Sequence, residues 1–172
     1  MFDVIPADID ESVRPGEDPV AYVRRLSIEK AAGVPVGSAC MVIAADTTVD
    51  LDGRILGKPA DAAEARVMLR ELSARTHRVH TGVTVQFDGC CVTDVVTTLV
   101  TFTTISEHAL AWYLRTGEPF DKAGGYGLQG AGGAFVESIT GSVSNVIGLP
   151  LSTLLALTRS LGTEPFPGWP AG

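Results

Sequence analysis

Positive charge is scarce in this chain, and its scarcity argues against one large class of function. Lysine and arginine together number 13 against 20 aspartates and glutamates, which gives a formal net charge of −7 and a pI near 4.8. A nucleic-acid surface needs a cationic patch that displaces counterions from phosphates. We therefore expect no nucleic-acid partner, although a few local cations can dominate the field within a Debye length of about 8 Å.

Long apolar runs, a signal peptide and a disulfide framework are also missing. Gly, Thr, Asp or Arg interrupts every apolar stretch before it reaches the roughly 18 to 20 residues of a membrane span. The start, MFDVIPADIDE, is acidic and has neither the cationic end nor the small-residue cleavage site of a signal peptide. Cys40, Cys90 and Cys91 are odd in number, so we expect reduced, mostly structural thiols. These absences predict a cytoplasmic protein without a membrane span.

The hydrophobic content and the helix and strand patterns of the sequence predict one α/β domain over residues 1–161, followed by a loose tail over residues 162–172. The 172 residues are 45% hydrophobic, which is enough for a single core. N-cap residues before apolar-periodic stretches predict three helices, and a fourth is expected over about residues 151–161. The caps are Asp18, Asp61 and Ser106.

Strand signals alternate with these helices. The run ACMVIAA, residues 39–45, predicts a strand buried on both faces that ends at Asp46. Apolar and polar residues alternate with period two over residues 77–105, on both sides of Asp88-Gly89, and this pattern predicts a long antiparallel hairpin. Another strand is expected over residues 134–139. We therefore predict a mixed, twisted sheet with flanking helices.

Two tempting patterns are set aside. Gly125, Gly127 and Gly130 spell a dinucleotide-binding fingerprint, but no strand precedes them and no helix opens after them, so turns are the better interpretation. His77 and His80 are three apart on a predicted strand, and their side chains therefore point to opposite faces and cannot share a metal ion. We expect both histidines to be exposed to solvent.

The lysines and Asp46 form the constellation that remains. Only three lysines occur against ten arginines: Lys58 and Lys122 lie in glycine- or proline-flanked loops, and Lys30 lies in the last turn of the first helix. An ammonium on a flexible stem pairs well with phosphate oxygens, although three solvated lysines are an equally good interpretation of this feature alone. Asp46 favours the first interpretation, because open α/β sheets place ligand chemistry at the carboxyl ends of strands. Its carboxylate also suits Mg²⁺ or Mn²⁺, so the set points to phosphate-ester or anhydride chemistry.

Several longer blocks follow one another along the chain up to Leu151: FDVIPADIDE, ADTTV, ILGKPAD, MLRELSARTHRVHTGV, GEPFDKAGGYGLQG and GSVSNVIGLPL. Together and in this order they resemble the Maf family, known also as septum-formation inhibitor-like proteins. The resemblance implies an inosine-triphosphatase-like fold and a nucleoside triphosphate pyrophosphatase that uses a divalent metal cation. Members cleave between the α- and β-phosphates and release a nucleoside monophosphate and pyrophosphate.

The resemblance also implies roles for individual residues. Asp46 of the ADTT block would accept the proton of the attacking water, and Asp46 and Glu11 would hold the metal. Lys30, Lys58 and Glu11 would bind triphosphate or metal. Thr47 and Gln129 would belong to the base-selecting positions, as in the branch of the family that prefers dTTP and UTP. The family members also suggest a homodimer.

Physical reasoning agrees with the role of Gln129 without establishing it. A glutamine amide offers one acceptor and two donor hydrogens, which suits the imide edge of thymine or uracil. The alternative is that Gln129 satisfies loop backbone in a glycine-rich turn. We expect Lys122 to pair with Asp121 or with a phosphate.

One departure from the family pattern bears on activity. Members carry a strand and a Ser-x-Ser-Pro-Arg-Arg loop before the FDVIPADIDE block, whereas here Met1 stands directly before Phe2. That loop would supply N–H groups and arginines to the phosphates, and the strand would cover an apolar edge of the strand at Cys40–Ala45. The coding start would then lie upstream, or the chain is a damaged or differently used paralogue. The alternatives to an enzyme are a catalytically weak nucleotide-binding protein linked to cell division, or a truncated inactive product.

Overall fold

The computed structural model describes residues 2–35, 37 and 40–163. The α-helices in these ranges are α1 (Pro19–Ala32), α2 (Ala62–Leu72), α3 (Glu107–Leu114), α4 (Val143–Ile147) and α5 (Leu151–Ser160). The strands are β1 (Val42–Leu51), β2 (Arg54–Leu56), β3 (Thr76–Phe87), β4 (Cys90–Phe102) and β5 (Val136–Thr140). Short 3₁₀ helices connect α3 to β5. Apart from Gly162 and Thr163, the predicted tail lies outside the described residues.

The strands form one sheet in the order β2-β1-β3-β4-β5, and each neighbouring pair is antiparallel. The α/β class and the long hairpin are confirmed, whereas the expected mixture of strand directions is not found among the described strands. Two of these pairs, β1 with β2 and β3 with β4, are antiparallel because two-residue turns reverse the chain between them. Asp88 and Gly89 turn β3 into β4 with φ of 47° and 77°, and Asp52 and Gly53 turn β1 into β2 with φ of 55° and 85°.

The prediction that β1 ends at Asp46 is wrong. β1 continues to Leu51, because the residues after Asp46 are largely β-branched and pair with β3 in register, Thr47 opposite Thr81 and Thr48 opposite His80. The expected burial on both faces also fails at Ile43, which is 43% exposed. β2 pairs with β1 only from Val49 onward, so residues 42–48 have a free edge within the described part of the chain.

The predicted helix starts are confirmed by their caps. The side chain of Asp18 accepts hydrogen bonds from the N–H groups of Val20 and Ala21, and Asp61 does the same for Ala63 and Glu64. The short helix α4 was not predicted; Ser142 caps it by accepting from the Asn145 N–H group. None of the helices in the described ranges is long and apolar enough to cross a bilayer.

The prediction that His77 and His80 are exposed is wrong, since they are only 2% and 3% exposed. They do point to opposite faces of β3, but this strand is the middle one of the sheet and helices pack on it. His77 shares a 2.7 Å hydrogen bond with the hydroxyl of Tyr126, and burial lowers the pKa of His77 to about 4. His80 lies between Asp50 and Thr97, at 3.1 Å and 2.8 Å. Both imidazoles therefore belong to the interior.

A close approach between α1 and β3 fixes the position of the first helix. A Cβ on Gly82 would overlap the carbonyl oxygen of Val23 and lie 2.6 Å from its carbonyl carbon, so only glycine fits. One turn later, the hydroxyls of Ser27 and Thr84 form a buried 2.9 Å hydrogen bond between the same two elements. Lys30 follows in the last turn of α1. The packing of α1 on β3 therefore places the Lys30 ammonium next to β1, because β1 pairs with β3 at Gly82.

The cysteines are free, as expected, but their structural role is not supported. Cys40, Cys90 and Cys91 are all exposed and contribute little to the core. The two adjacent cysteines begin β4, just after the hairpin turn, where side chains face solvent.

Candidate active site

An ion-paired cluster joins three segments of the chain. The Nζ of Lys30 lies 2.6 Å from Oδ1 of Asp46 and 2.8 Å from Oε1 of Glu11. Lys30 comes from α1, Asp46 from the middle of β1, and Glu11 from the extended segment before α1. The three residues are far apart in sequence, so the fold brings them together.

Glu11 is held in place by α1. The hydroxyl of Tyr22 donates a 2.9 Å hydrogen bond to the carbonyl oxygen of Glu11, and the guanidinium of Arg25 donates to the carbonyl oxygen of Ser12 at 3.0 Å. Arg25 is itself fixed by a salt bridge to Glu17 at 2.6 Å. The extended segment therefore lies along the helix that also carries Lys30.

Burial and charge give the members of the cluster different proton affinities. Burial raises the pKa of Asp46, against the hydrogen bond and charge of Lys30, which lower it. Burial would lower the pKa of Lys30, but its hydrogen bonds to Asp46 and Glu11 outweigh burial and raise it. The hydrogen bond from Lys30 lowers the pKa of Glu11. Lys30 is thus a permanent cation, and Asp46 is an unusually basic carboxylate.

One oxygen of Asp46 has no partner. Its side chain is only 10% exposed, and Oδ2 is buried without a hydrogen bond among the described residues. A buried carboxylate oxygen left unpaired costs free energy, and such groups are found where a ligand, ion or water completes the site. The unpaired Oδ2 therefore makes Asp46 a candidate functional residue.

A cavity of about 330 Å³ opens beside Asp46. Four of the six predicted site residues line it: Asp46, Thr47, Lys58 and Gln129. Lys30 and Glu11 are not in its lining but reach it through Asp46. Lys58 is exposed, and its charge lowers the pKa of both Asp46 and Glu11, so its ammonium is within electrostatic range of the cluster. The structure thus brings all six predicted residues to one place.

Thr47 stands on the floor of the cavity in a hydroxyl network. Its Oγ1 lies 2.9 Å from Oγ1 of Thr81, whose hydroxyl donates to the carbonyl oxygen of Asn145 at 3.0 Å. Asn145 is fully buried and donates to the carbonyl oxygen of Val79 and to Oγ1 of Thr98, each at 3.0 Å. This network ties α4 to the sheet, and Val146 and Ile147 of this helix line the cavity together with the Gly148 that follows it.

Gln129 lies in the glycine-rich loop across the cavity. Its side chain is exposed, and no hydrogen bond to it is found among the described residues, so the alternative that it satisfies loop backbone is not supported. Lys122 lines the same cavity and forms a 2.6 Å ion pair with Asp121, as predicted. The glycines of this loop are followed by a 3₁₀ helix, Ala131–Phe135, and then β5, which is not the arrangement of a dinucleotide-binding turn.

Sequence reasoning missed several residues that shape the site. Tyr126 lines the cavity and is anchored by His77, which had been set aside as a surface histidine. Asn145 and Glu118 were not singled out either, although Glu118 accepts hydrogen bonds from two N–H groups of the glycine-rich loop. The Ser142-x-x-Asn145 spacing after Gly141 is the one local signal that could have indicated a capped helix here.

Fold and cluster together define a class: an α/β protein with a basic carboxylate, a paired lysine and a second lysine at the mouth of a cavity. A family model described as Maf-like protein matches residues 1–161. The chain therefore belongs to the Maf family.

Curated relatives are similar over most of their length. A protein of Anaeromyxobacter dehalogenans strain 2CP-C, named dTTP/UTP pyrophosphatase, is 52% identical over 165 residues, which cover 94% of this chain and 84% of the relative. Proteins of the same name from Chromobacterium violaceum and Myxococcus xanthus are 50% and 49% identical, covering 93% and 94% of this chain and 84% and 82% of their own lengths.

Proposed function

We propose that this protein is a nucleoside triphosphate pyrophosphatase that hydrolyses dTTP and UTP to the nucleoside monophosphate and pyrophosphate. The observation that carries the proposal is the free, buried Oδ2 of Asp46, held beside the Lys30 ammonium at the mouth of a cavity that Lys58 also lines. The names of the relatives, at about half identity over nearly the whole chain, support the substrate class.

In the proposed reaction, Asp46 acts as the general base. Its Oδ2 accepts a proton from a water molecule, and the water oxygen forms a bond to a phosphorus of the α–β anhydride. The bond from the bridging oxygen to that phosphorus breaks, and the electron pair stays on the bridging oxygen of the leaving group, which is pyrophosphate after attack at the α-phosphorus or the nucleoside monophosphate after attack at the β-phosphorus. Lys30 fixes the orientation of the carboxylate through Oδ1, which leaves Oδ2 turned to the water. The raised pKa of Asp46 strengthens it as a base.

The lysines and the glycine-rich loop serve binding in this proposal. Lys58 and Lys30 offset the negative charge of the triphosphate, and Lys122 can add to them if its pair with Asp121 opens. Gln129, across the cavity, presents its amide to the imide edge of the pyrimidine, and Thr47 contributes to base selection from the cavity floor. A cavity of about 330 Å³ is at the small end for ligand pockets and suits a base with part of its sugar.

The residues present fit a divalent metal that arrives with the substrate. Asp46 and Glu11 are carboxylates that share one ammonium neighbour, and carboxylate oxygens are hard ligands. Mg²⁺ is commonly held by one or two carboxylates together with substrate phosphates. No group of three or more His, Cys, Asp or Glu side chains that could hold a metal is found among the described residues. When bound, Mg²⁺ or Mn²⁺ would neutralise phosphate charge in the transition state.

We extend the proposal to location and assembly. A cytoplasmic enzyme agrees with the acidic composition and with the absence of a membrane-spanning helix from the described residues. A homodimer agrees with the family resemblance and with the free β1 edge at residues 42–48.

A product assay tests the proposed function. The purified chain is incubated with dTTP, UTP, CTP and GTP, with Mg²⁺ or Mn²⁺ or with EDTA, and pyrophosphate and orthophosphate are measured separately. We expect pyrophosphate and monophosphate from dTTP and UTP at higher kcat/KM than from the other two, and none in EDTA. Release of orthophosphate, a preference for GTP, or tight binding without turnover would contradict the proposal; the last result would favour a regulatory nucleotide-binding protein.

The pH dependence of kcat/KM tests the role of Asp46 separately. A base must be ionised, and the pKa of Asp46 is raised by burial, so activity should be lost as the pH falls through a value above the ordinary range of aspartate. Lys30 lowers this pKa and Glu11 raises it. Lys30→Met should therefore move the acid limb to higher pH, and Glu11→Gln should move it to lower pH. An acid limb that stays in place in both variants, measured on their residual activity, would assign it to another group.

A further inference from the structure

A glutamate, backed by a buried tyrosine, holds the C-terminal end of the loop that carries Gln129, residues 127–132, called here the Gln129 loop. Oε2 of Glu118 accepts a 2.7 Å hydrogen bond from the Ala131 N–H group, and Oε1 accepts one of 3.0 Å from Gly132. The hydroxyl of Tyr113 donates to the same Oε1 at 2.9 Å.

The Gln129 loop is shaped to make this contact. A Cβ on Gly130 would lie 2.5 Å from Cδ of Glu118, and a Cβ on Gly132 would lie 2.7 Å from the hydroxyl oxygen of Tyr113. The loop backbone can therefore reach the carboxylate only because these two residues lack a side chain. Tyr113 is fully buried in α3, so its hydroxyl is a fixed point.

The contact between Glu118 and the Gln129 loop affects the cavity because the same loop contributes residues to the cavity lining. Leu128, Gln129 and Gly130 line the cavity, and the Gln129 side chain makes no hydrogen bond within the described part of the chain. Its position is therefore set by the loop backbone rather than by contacts of its own. Hydrogen bonds to an ionised carboxylate are among the stronger ones, so Glu118 dominates the backbone geometry.

We infer that Glu118, with Tyr113, is a positioning residue for base recognition: it holds the Gln129 loop against the cavity without touching the reacting phosphates. The inference deepens the proposed function and rests on it, since it assumes that Gln129 faces the base of a pyrimidine triphosphate. Loss of this contact should weaken binding and selectivity, because a site that hydrogen-bonds a base discriminates only while its partners are held in place.

Glu118→Gln is the first test. The amide keeps the size of the side chain but turns a donor toward one of two backbone N–H groups, so one hydrogen bond is lost. We expect KM for UTP to rise about tenfold and the ratio of kcat/KM for UTP over GTP to fall by a similar factor, which corresponds to one charged hydrogen bond. The value of kcat should change less than about threefold, since Asp46 and Lys30 are untouched.

A structural readout accompanies the kinetics. Amide hydrogen exchange at Ala131 and Gly132, followed by NMR, should be at least about tenfold faster in Glu118→Gln than in the wild type. Tyr113→Phe is the second variant, because it keeps the carboxylate and the ring but removes the hydroxyl that donates to Oε1 of Glu118; it should loosen the Glu118 carboxylate and also raise KM. Glu137→Gln is the matched control, since Glu137 is exposed on β5 and has no ion pair among the described residues.

The outcomes separate the two proposals. A wild type that hydrolyses no triphosphate would reject the proposed function, and the exchange data would still report whether Glu118 holds the loop. Unchanged protection of Ala131 and Gly132 in a folded Glu118→Gln variant would overturn the inference. Faster exchange with an unchanged KM and an unchanged UTP-to-GTP ratio would overturn it as well, because the loop would then move without consequence for recognition.

Discussion

Replacing Asp46 with asparagine is expected to lower kcat for pyrophosphate release by about 10³-fold. General-base catalysis by a positioned side chain contributes roughly 10² to 10⁴ in rate, and an amide cannot accept the proton that Oδ2 of Asp46 would take. Asparagine keeps the shape of the side chain. Its amide oxygen, at the position of Oδ1, can still accept the hydrogen bond from Lys30. Lys58 still binds the triphosphate, so the fall in kcat should be much larger than any rise in KM.

The fold of the Asp46→Asn variant should remain intact. Lys30 retains its pair with Glu11 at 2.8 Å, so its buried ammonium is not left without a carboxylate. The matched control is Asp88→Asn, which removes the same charge from the exposed β3–β4 turn, where the φ of 47° suits asparagine. Steady-state kinetics and circular dichroism measure both variants. An Asp46→Asn variant that keeps more than about a tenth of wild-type kcat would move the base elsewhere, with Glu11 as the nearest carboxylate in the cluster.

Local signals in the sequence were sufficient to predict most of the helices and strands. The caps at Asp18 and Asp61 and the Asp88-Gly89 turn act within a few residues, so they predicted the starts of α1 and α2 and the β3–β4 hairpin. Where local and long-range effects compete, the prediction failed. A polar residue after an apolar run suggested the end of a strand at Asp46, but pairing with β3 as far as Asp50 and with β2 at Leu51 extends β1.

The position of a strand in the sheet is not readable from its own residues. His77 and His80 lie among polar and apolar residues that suggest an exposed strand, yet β3 is the central strand and both imidazoles are buried. Nε2 of His77 and Nε2 of His80 find partners in Tyr126 and Asp50, which are distant in sequence. The same limit applies to Glu118, whose role depends on backbone N–H groups more than ten residues away.

The candidate site was predicted by residue type and family resemblance rather than by spacing. Glu11, Lys30 and Asp46 lie in a loop, a helix and a strand, and no sequence periodicity relates them. What relates them physically is the close packing of α1 on β3 at Gly82, which lies opposite Asp46 in the sheet. The glycine is thus a long-range determinant of the site, and its substitution is the second large effect that we expect.

Gly82→Ala is expected to destabilise the fold by about 3 kcal/mol, the upper part of the usual range for overpacked interiors. The added Cβ would overlap the carbonyl oxygen of Val23, and the atoms in its way are backbone, so a rotamer change cannot relieve the clash. For a protein of this size the midpoint of thermal unfolding should fall by about 6 to 12 °C. Calorimetry or circular dichroism on heating measures the shift.

The same substitution should reduce activity well below the melting temperature. If α1 moves away from β3 by about 1 Å, Lys30 moves relative to Asp46, and a displacement of that size can cost about 10²-fold in kcat/KM. Gly37→Ala is the matched control, because no atom of the described residues lies within 4 Å of a Cβ at that position. A Gly82→Ala variant that melts like the wild type would show that α1 has room to accept a side chain. Lower stability with full kcat/KM would instead show that the packing of α1 on β3 does not set the Lys30–Asp46 geometry.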